Sequence, residues 1–520
     1  MKFQRSIGSL TLWLSAVGSM IGSGWLFGAL YAARLAGPAA VIAWILGGVL
    51  MLFIAFTFAE LSTAFPVAGG MVQFAEYSHG PLLSFTIGWM VWLSSVVVAP
   101  VEALAMLQYA GAYIPGLVHK VGGATALTEL GTVVAIGMLF LMCVLNWHGA
   151  AVYGFASNFI VFIKFVVPIL TVLVLLSVDF HSSNFYAVGG FAPFGLHGIL
   201  AALPLGGVVF SFMGYNSAIQ LAEEAKNPQR AMPIALLGSL LFCIILYVAL
   251  QLTFIGALKP EFLSHGWQKL SFTGDSGPFA GILITLGITW LVMVIYADAI
   301  ISPFGTGYIY SAATARVNYA MGMTGFFPEF MKKINRYGVP MNAIWVNFFV
   351  GLMLFLPFRG WQSMVGFIVT SFVVSYSIGP LALITLRHTH PNQPRPFRVP
   401  YVHPFSFLAF YACNLLVFWA GWNTIYRLLI GIAVGLIVFL FRRNYLTNIK
   451  NISHWQTAFW LFPYLIGLGI ISYLGSFSGG KNIIPFGMDF LVIAIFTLII
   501  YFFAVRAGKK APIVTTPIEY

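Results

Sequence analysis

The apolar residues of this 520-residue chain fall in long blocks, with polar and charged residues gathered into short gaps between them. A membrane-crossing helix needs about 20 mostly apolar residues. Fourteen blocks approach that length, centred near residues 23, 51, 98, 138, 165, 211, 245, 297, 348, 373, 413, 432, 465 and 496. The third and eighth run long, which predicts tilt. The eleventh and twelfth meet at "GWNTIYR" with almost no loop, which leaves thirteen or even twelve crossings open. The pattern predicts an all-α polytopic membrane protein with about fourteen transmembrane helices.

Composition agrees: 60% of residues are hydrophobic and only 7% charged, against about 25% charged in a soluble domain. Charge adds a direction, because Lys and Arg accumulate on the cytoplasmic side. With a cytoplasmic N-terminus and fourteen spans, the inner segments hold seventeen of the 25 Lys and Arg residues and the outer segments seven, and Lys164 lies within a span. The expectation is a cell-membrane protein with both termini in the cytoplasm. The net charge of +12 is then a topology signal, and no loop interleaves basic and aromatic residues in the way nucleic-acid binding needs. The first apolar run is too long for a cleavable signal peptide and is expected to stay as the first span. Cys143, Cys243 and Cys413 lie far apart in apolar runs, without metal-ligand spacing.

The Pro- and Arg-rich stretch "RHTHPNQPRPFRVPYVHP", residues 387–404, reads as a linker. It divides an expected ten-span core, residues 1–400, from four additional spans and a short tail, residues 401–520. Span one then rises through the membrane and span six descends, so the chain repeats after five spans with inverted orientation. That is the arrangement in which transporters bind substrate between interrupted helices.

Both spans carry an interruption. "AVGSMIGSGWLFG", residues 16–28, gathers Gly18, Gly22, Gly24 and Gly28 with two serines near mid-membrane. Broken backbone at that depth is tolerated only where it lines a cavity or is buried in protein. A break here ends an inner half-helix near Met20, offering carbonyls, and starts an outer one near Gly24, offering N–H groups and the positive end of its dipole. A zwitterion suits both ends. In span six, "VVFSFMGYNSA", residues 208–218, places Gly214 at similar depth, where the carbonyls of Phe210 and Met213 add acceptors for an ammonium. Gly18 and Gly22 also fit a small-xxx-small packing pattern; two breaks at similar depth in oppositely directed spans favour a binding site.

Ionisable residues form the second constellation. Lys164 in "FIVFIKFVVPIL" is deep in span five and needs a cavity or a partner there, unless it snorkels to the interface. Glu102 and Asp298 are the carboxylates nearest mid-depth, each placed to carry a proton or to be held neutral by nearby Ser, Thr or Tyr. Glu60, Glu223 and Glu224 lie toward inner helix ends, where a solvated gate or cap is expected.

Four stretches, "GSMIGSGWLFG", "FAELSTAFPVAGG", "FSFMGYNSAIQLAEEAKNPQRAMPIA" and "ATARVNYAMGMTGFFPEFMKKIN", resemble the amino acid, polyamine and organocation transporter superfamily over roughly the first 400 residues. The resemblance implies a five-plus-five inverted repeat with discontinuous helices one and six, alternating access and amino-acid substrates. It implies a substrate carboxylate on the N–H groups of Ser23 and Gly24 beside Gly22, and an ammonium on the carbonyls of Met20, Phe210 and Met213 beside Gly214. It also implies that Lys164 couples transport to protons rather than sodium, with Glu102 and Asp298 as the further proton-coupling candidates. Helices eleven to fourteen exceed the family's usual twelve. The wording of "GSGWLFGA" and "EYSHG" is most similar to the bacterial aspartate–proton symporters within it, which favours uptake of an acidic amino acid such as aspartate. Against this, the core offers one lysine and no arginine, so a neutral or cationic amino acid, or exchange, stays open. The expected partners are an amino acid, protons and the lipid bilayer, with no cofactor, metal or nucleic acid and the oligomeric state open. A proton-translocating subunit of a respiratory complex is the competing class, but it calls for several buried lysines or histidines in series. Nothing in the chain forms a catalytic constellation, so no enzyme activity is expected.

Overall fold

The computed structural model describes residue 5 and residues 7–67, 69–121, 124–148, 150–178, 180–272, 277–323, 325–355, 360–442 and 456–511. It opens with α1 (Ser9–Met20) and α2 (Ser23–Ala36), followed by α3 (Ala40–Ala64), α4 (Met71–His79) and α5 (Pro81–Ala110). A small antiparallel hairpin, β1 (Val118–Val121) and β2 (Ala124–Leu127), departs from the all-helical expectation. Next come α6 (Glu129–Leu145) and α7 (Ala150–Ser177), then α8 (Gly195–Leu205), α9 (Val208–Phe212) and α10 (Asn216–Gln220). α11 (Pro228–Pro233) runs through a π-turn into α12 (Ser239–Gly256), followed by α13 (Pro278–Thr285), α14 (Thr289–Met323) and α15 (Met341–Leu354). The chain continues through α16 (Trp361–Tyr376), α17 (Ile378–Thr389), α18 (Val402–Trp419), α19 (Trp422–Arg442), α20 (Leu461–Leu474) and α21 (Met488–Gly508).

Among the described residues, ten helical stretches are long and apolar enough to cross a membrane, or eleven when α8 to α10 is taken as one bent span. One of the ten, Ser23–Ala64, is 42 residues long, about twice what a single crossing needs. It is divided at Gly37, whose φ of 62° suits glycine alone and turns the chain sharply between α2 and α3. Each of the fourteen expected centres falls on a helix or within a broken helix pair, although α6 and α15 are shorter than the usual span.

The two broken spans lie against each other in opposite directions. α2, the second half of the first, packs on α8, the first half of the other; α1 packs on α10. α5 and α14, both long, form the most extensive helix pair and pack against the break in the first span.

On the face that carries the N-terminus, the structure is tied shut. Ile7 pairs with the segment after α10, donating to the Glu224 carbonyl at 3.0 Å and accepting from Lys226 N–H at 2.9 Å. Glu60 departs from the solvated role expected of it: it is fully buried. The Arg387 guanidinium donates to both of its oxygens at 2.7 and 2.5 Å, Val399 N–H donates at 2.7 Å, and Arg395 lies 3.6 Å away. The sequence hid this because the partners sit in the last turn of α17 and in the segment after it, more than 300 residues on. Removing one member of a buried ion pair costs about 3–5 kcal/mol, whereas replacing both costs much less. Glu60→Gln is therefore expected to lower thermal stability in detergent strongly, and Glu60→Gln with Arg387→Met to lose less than the sum of the single changes. Additive losses in that double-mutant cycle would contradict the pairing.

The last helices are packed onto the rest. α18 lies on α3, α16 and α17, and α19 on α5 and α16. Polar side chains join them: Asn414 donates to Thr497 at 2.8 Å and accepts from Tyr464 at 2.9 Å, linking α18, α21 and α20. At the end of α4, buried His79 donates from Nε2 to the Ala504 carbonyl of α21 at 3.0 Å. Burial pushes its imidazole down to about 4, so it stays uncharged at neutral pH.

Candidate functional site

α1 stops at Met20 and α2 starts at Ser23, so the break falls where the glycine cluster places it. Ile21 and Gly22 between them are extended. A Cβ at Gly22 would stand 2.9 Å from Glu102 Oε1 and 3.0 Å from Thr306 Oγ1, so the missing side chain is what lets α5 and α14 close on the break.

The new N-terminus at Ser23 is buried, and a buried helix N-terminus needs an acceptor. That acceptor is Glu102. Ser23 N–H donates to its Oε2 at 3.1 Å and Oε1 at 3.4 Å, while the Trp361 indole donates to Ser23 Oγ at 2.9 Å. In this conformation, then, an internal carboxylate holds the Ser23 N–H. Gly24 has a separate constraint, since a Cβ there would run into Ser211 Oγ on α9. Gly24→Ala is accordingly expected to raise the KM for uptake about tenfold or more, at a cost typical of overpacking. Adding Ser211→Gly is expected to restore part of it, and no recovery in the double variant would show that the Gly24 requirement lies elsewhere.

The carbonyl ends are also partly occupied. Met20 O accepts from the Tyr247 hydroxyl at 3.1 Å, and Met213 O from the Tyr376 hydroxyl at 3.1 Å. Phe210 O accepts the Met213 N–H. Met213 O also accepts the Asn216 N–H, whereas Met20 O and Phe210 O each keep one lone pair.

The sixth span differs from expectation in where it breaks. Its 48° bend lies at Gly206–Gly207, between α8 and α9, with Gly207 at φ 82°. Around Gly214 the chain only tightens into a 3-10 turn, Met213–Tyr215. Gly214 is needed for contact instead: a Cβ there would collide with the backbone of Ser19 and Met20 on α1.

Lys164 is wholly buried and does not snorkel. Its ammonium donates to the Gly18 carbonyl at 2.8 Å and to Thr306 Oγ1 at 2.6 Å, tying α7 to α1 and α14. Gly18 also serves packing, with Val161 3.0 Å from where a Cβ would be. Asp298, buried on α14, accepts from the Trp25 indole at 3.1 Å.

A small space lies between the two broken spans, lined by Met20, Gly22, Phe210, Met213 and Gly214 together with Glu102, Ser19, Val98, Thr306, Tyr310, Ile368 and Phe372. Five of the seven expected binding residues thus meet in one cavity; Ser23 and Gly24 stand behind Glu102, and Lys164 and Asp298 are outside the lining. Away from the N-terminal face the cavity is covered by rings: Phe210 stands edge-on to Trp361 at 5.8 Å, and Trp361 stacks on Tyr31 at 5.4 Å. Phe27 packs against Trp361 at 5.3 Å and Tyr109 at 5.2 Å.

Trp361, Tyr247, Tyr376 and Thr306 were not among the residues expected to act here. Each carries a polar tip inside an apolar run, where lipid leaves it without a partner. That was the available signal.

A model of the family described as amino acid permease matches residues 7–420. Among similar proteins of Bacillus subtilis (strain 168), the glutamate/serine transporter AimA is 39% identical over 98% of this chain and 95% of its own length. The aspartate-proton symporter is 34% identical over 97% of each. The branched-chain amino acid permease BcaP is 27% identical over 85% of this chain and 94% of its own. With this match and these relatives, and with its two broken spans packed together, the chain belongs to the amino acid permease family: it is a multi-pass membrane transporter of amino acids and not an enzyme.

Proposed function

We propose that the protein is a proton-coupled symporter that takes up an acidic amino acid, aspartate or glutamate. The observation that carries the reading is the hydrogen bond from Ser23 N–H to Glu102. The substrate carboxylate and the Glu102 carboxylate compete for the same helix N-terminus, and two anions cannot share it in so dry a site. Substrate binding therefore displaces Glu102, and the displaced carboxylate takes up a proton. An empty carrier holds its own carboxylate in the slot; a loaded one holds a substrate and a proton.

In this scheme the substrate carboxylate lies on Ser23 and Gly24 N–H, and its ammonium on the carbonyls of Met20, Phe210 and Met213, the last giving up one of its present donors, with Gly22 and Gly214 leaving room. Lys164 responds to the charge on Glu102 and changes its hold on Gly18, biasing α1 toward one or the other open form. Asp298 is the second carboxylate. The distribution of basic residues supports fourteen crossings with both termini cytoplasmic, and a core of residues 1–400 followed by four further spans. Relatives named for glutamate, serine and aspartate support the substrate class. One observation favours a small neutral substrate such as serine: the lining holds Glu102 and no cation, because the Lys164 ammonium is already engaged.

The test is uptake of a panel of labelled amino acids into proteoliposomes, with and without an imposed proton gradient. Gradient-dependent accumulation of aspartate or glutamate above all others is expected. Preference for serine would move the substrate to the neutral class, and accumulation indifferent to the proton gradient would overturn the coupling.

A further inference from the structure

α2 carries the Ser23 donor at its first residue and, two residues later, Trp25. The indole of Trp25 is 1% exposed and reaches across to Asp298 on α14, donating to Oδ2 at 3.1 Å. Phe279 of α13 packs on the same ring at 5.5 Å. Asp298 is 1% exposed, and its second oxygen, Oδ1, has no hydrogen-bond partner. A buried carboxylate with one oxygen unpaired is expensive to hold as an anion. It is not part of the cavity lining. Among the described residues, its hydrogen bond to α2 is the one from the indole.

We propose that Asp298 is a positioning residue that fastens α2 to α14 through Trp25, and that taking up a proton releases α2 so the cavity opens away from the N-terminal face. The inference rests on the transport reading above and adds a second proton-responsive point that never touches substrate. An ionised carboxylate makes a charge-assisted hydrogen bond to the indole, roughly twice as strong as a neutral one. Protonation weakens the fastening and also settles the unpaired Oδ1. The sign follows: acid loosens α2 and alkali fastens it. Excess protons on that side therefore favour the form that admits substrate there.

The other charged and titratable groups near Asp298 are few. α5 presents Glu102 and Tyr109, the latter with its hydroxyl on the Leu26 carbonyl of α2 at 3.3 Å, and α7 presents Lys164. Tyr296 lies on the same helix, edge-on to Tyr109 at 5.7 Å. α2 itself carries Tyr31 and Arg34, whose guanidinium donates to Leu270 O at 2.7 Å, and α1 and α13 have no titratable residue. Cys143 of α6 lies beside Ser311 and Thr314, about 20 Å further along α14. Glu102 is the one other carboxylate able to give a similar response, and the experiment removes it.

Ala105, fully buried on α5 between Glu102 and Tyr109, becomes the reporter as Ala105→Cys in a Glu102→Gln background. Alkylation of the purified protein in detergent, without substrate, is followed at pH 5 and pH 8 and normalised to the unfolded chain at the same pH. The chain without the reporter is the control, since its own cysteines are buried. With Asp298 and Trp25 intact, labelling is expected to be about fivefold faster at pH 5, the ratio of a hydrogen bond weakened by about 1 kcal/mol. Asp298→Asn and Trp25→Phe are each expected to label at the fast rate at both pH values, and the two together no faster than either. Asp298→Glu is expected to keep the pH difference. Asp298→Asn retaining that difference, or Trp25→Phe behaving as the parent, would overturn the proposal. Should Asp298→Asn fail to fold, Trp25→Phe decides alone. No transported substrate is needed, so a wrong substrate class leaves this result standing.

Discussion

Lys164→Met is expected to yield a carrier that still exchanges amino acid across the membrane but no longer accumulates it against a gradient. Methionine preserves the aliphatic stem and removes the ammonium, and with it the bonds to the Gly18 carbonyl and Thr306. Two consequences follow. α1 loses its tether to α7, so its position ceases to depend on the charge state of the site. Glu102 and Asp298 also lose the only cation buried among the described residues of the spans near them, and each then stays protonated throughout the cycle rather than alternating. Accumulation driven by an imposed pH gradient should fall to the level of equilibration, while exchange retains at least about a tenth of its rate, since the loss of one hydrogen-bonded group costs about 1–3 kcal/mol. The comparison is between uptake with a gradient and counterflow without one, in the same proteoliposomes. Undiminished accumulation would remove Lys164 from the coupling.

The second large effect belongs to Glu102→Gln. Glutamine keeps the shape and can still accept from Ser23 N–H, but it carries no charge and takes no proton. Substrate then competes with a neutral amide for the helix N-terminus, and its affinity should rise and cease to vary with pH. In the native chain, affinity is expected to strengthen as protons neutralise Glu102 and weaken as pH rises. The signature is therefore a flat profile of binding against pH in the variant, with accumulation lost and exchange kept. A variant whose affinity falls with rising pH as steeply as the parent's would show that another group carries the proton.

Much of this site could be read before any coordinates. The break at Ile21–Gly22 followed from the price of glycine in a buried helix, and Lys164 from the cost of an ammonium in lipid. These are local properties, visible in a dozen residues. What stayed hidden was pairing. Ser23 and Glu102 are 79 residues apart, Trp25 and Asp298 273, Glu60 and Arg387 327. No short stretch announces that a carboxylate will fill the slot proposed for a substrate, or that a glutamate at a helix end will be buried under an arginine of α17. The misplaced bend in the sixth span has a local cause. Gly206 and Gly207 follow Pro204, a stronger breaking signal than the single Gly214, yet they lie one to two turns from the depth where a symmetric break was sought.

Gly214 has a mechanical consequence. With no Cβ, the turn at Met213–Tyr215 rests directly on the backbone of Ser19 and Met20, main chain against main chain. Side chains can rotate past one another as a protein moves, but two backbones in contact transmit displacement without slack. The inner half of the first span and the turn of the sixth therefore behave as one lever, and the carrier has a single rocking element at its centre where two separately hinged helices could otherwise open at different moments. Displacement of either is therefore expected to carry the other with it, so that the two spans change position together.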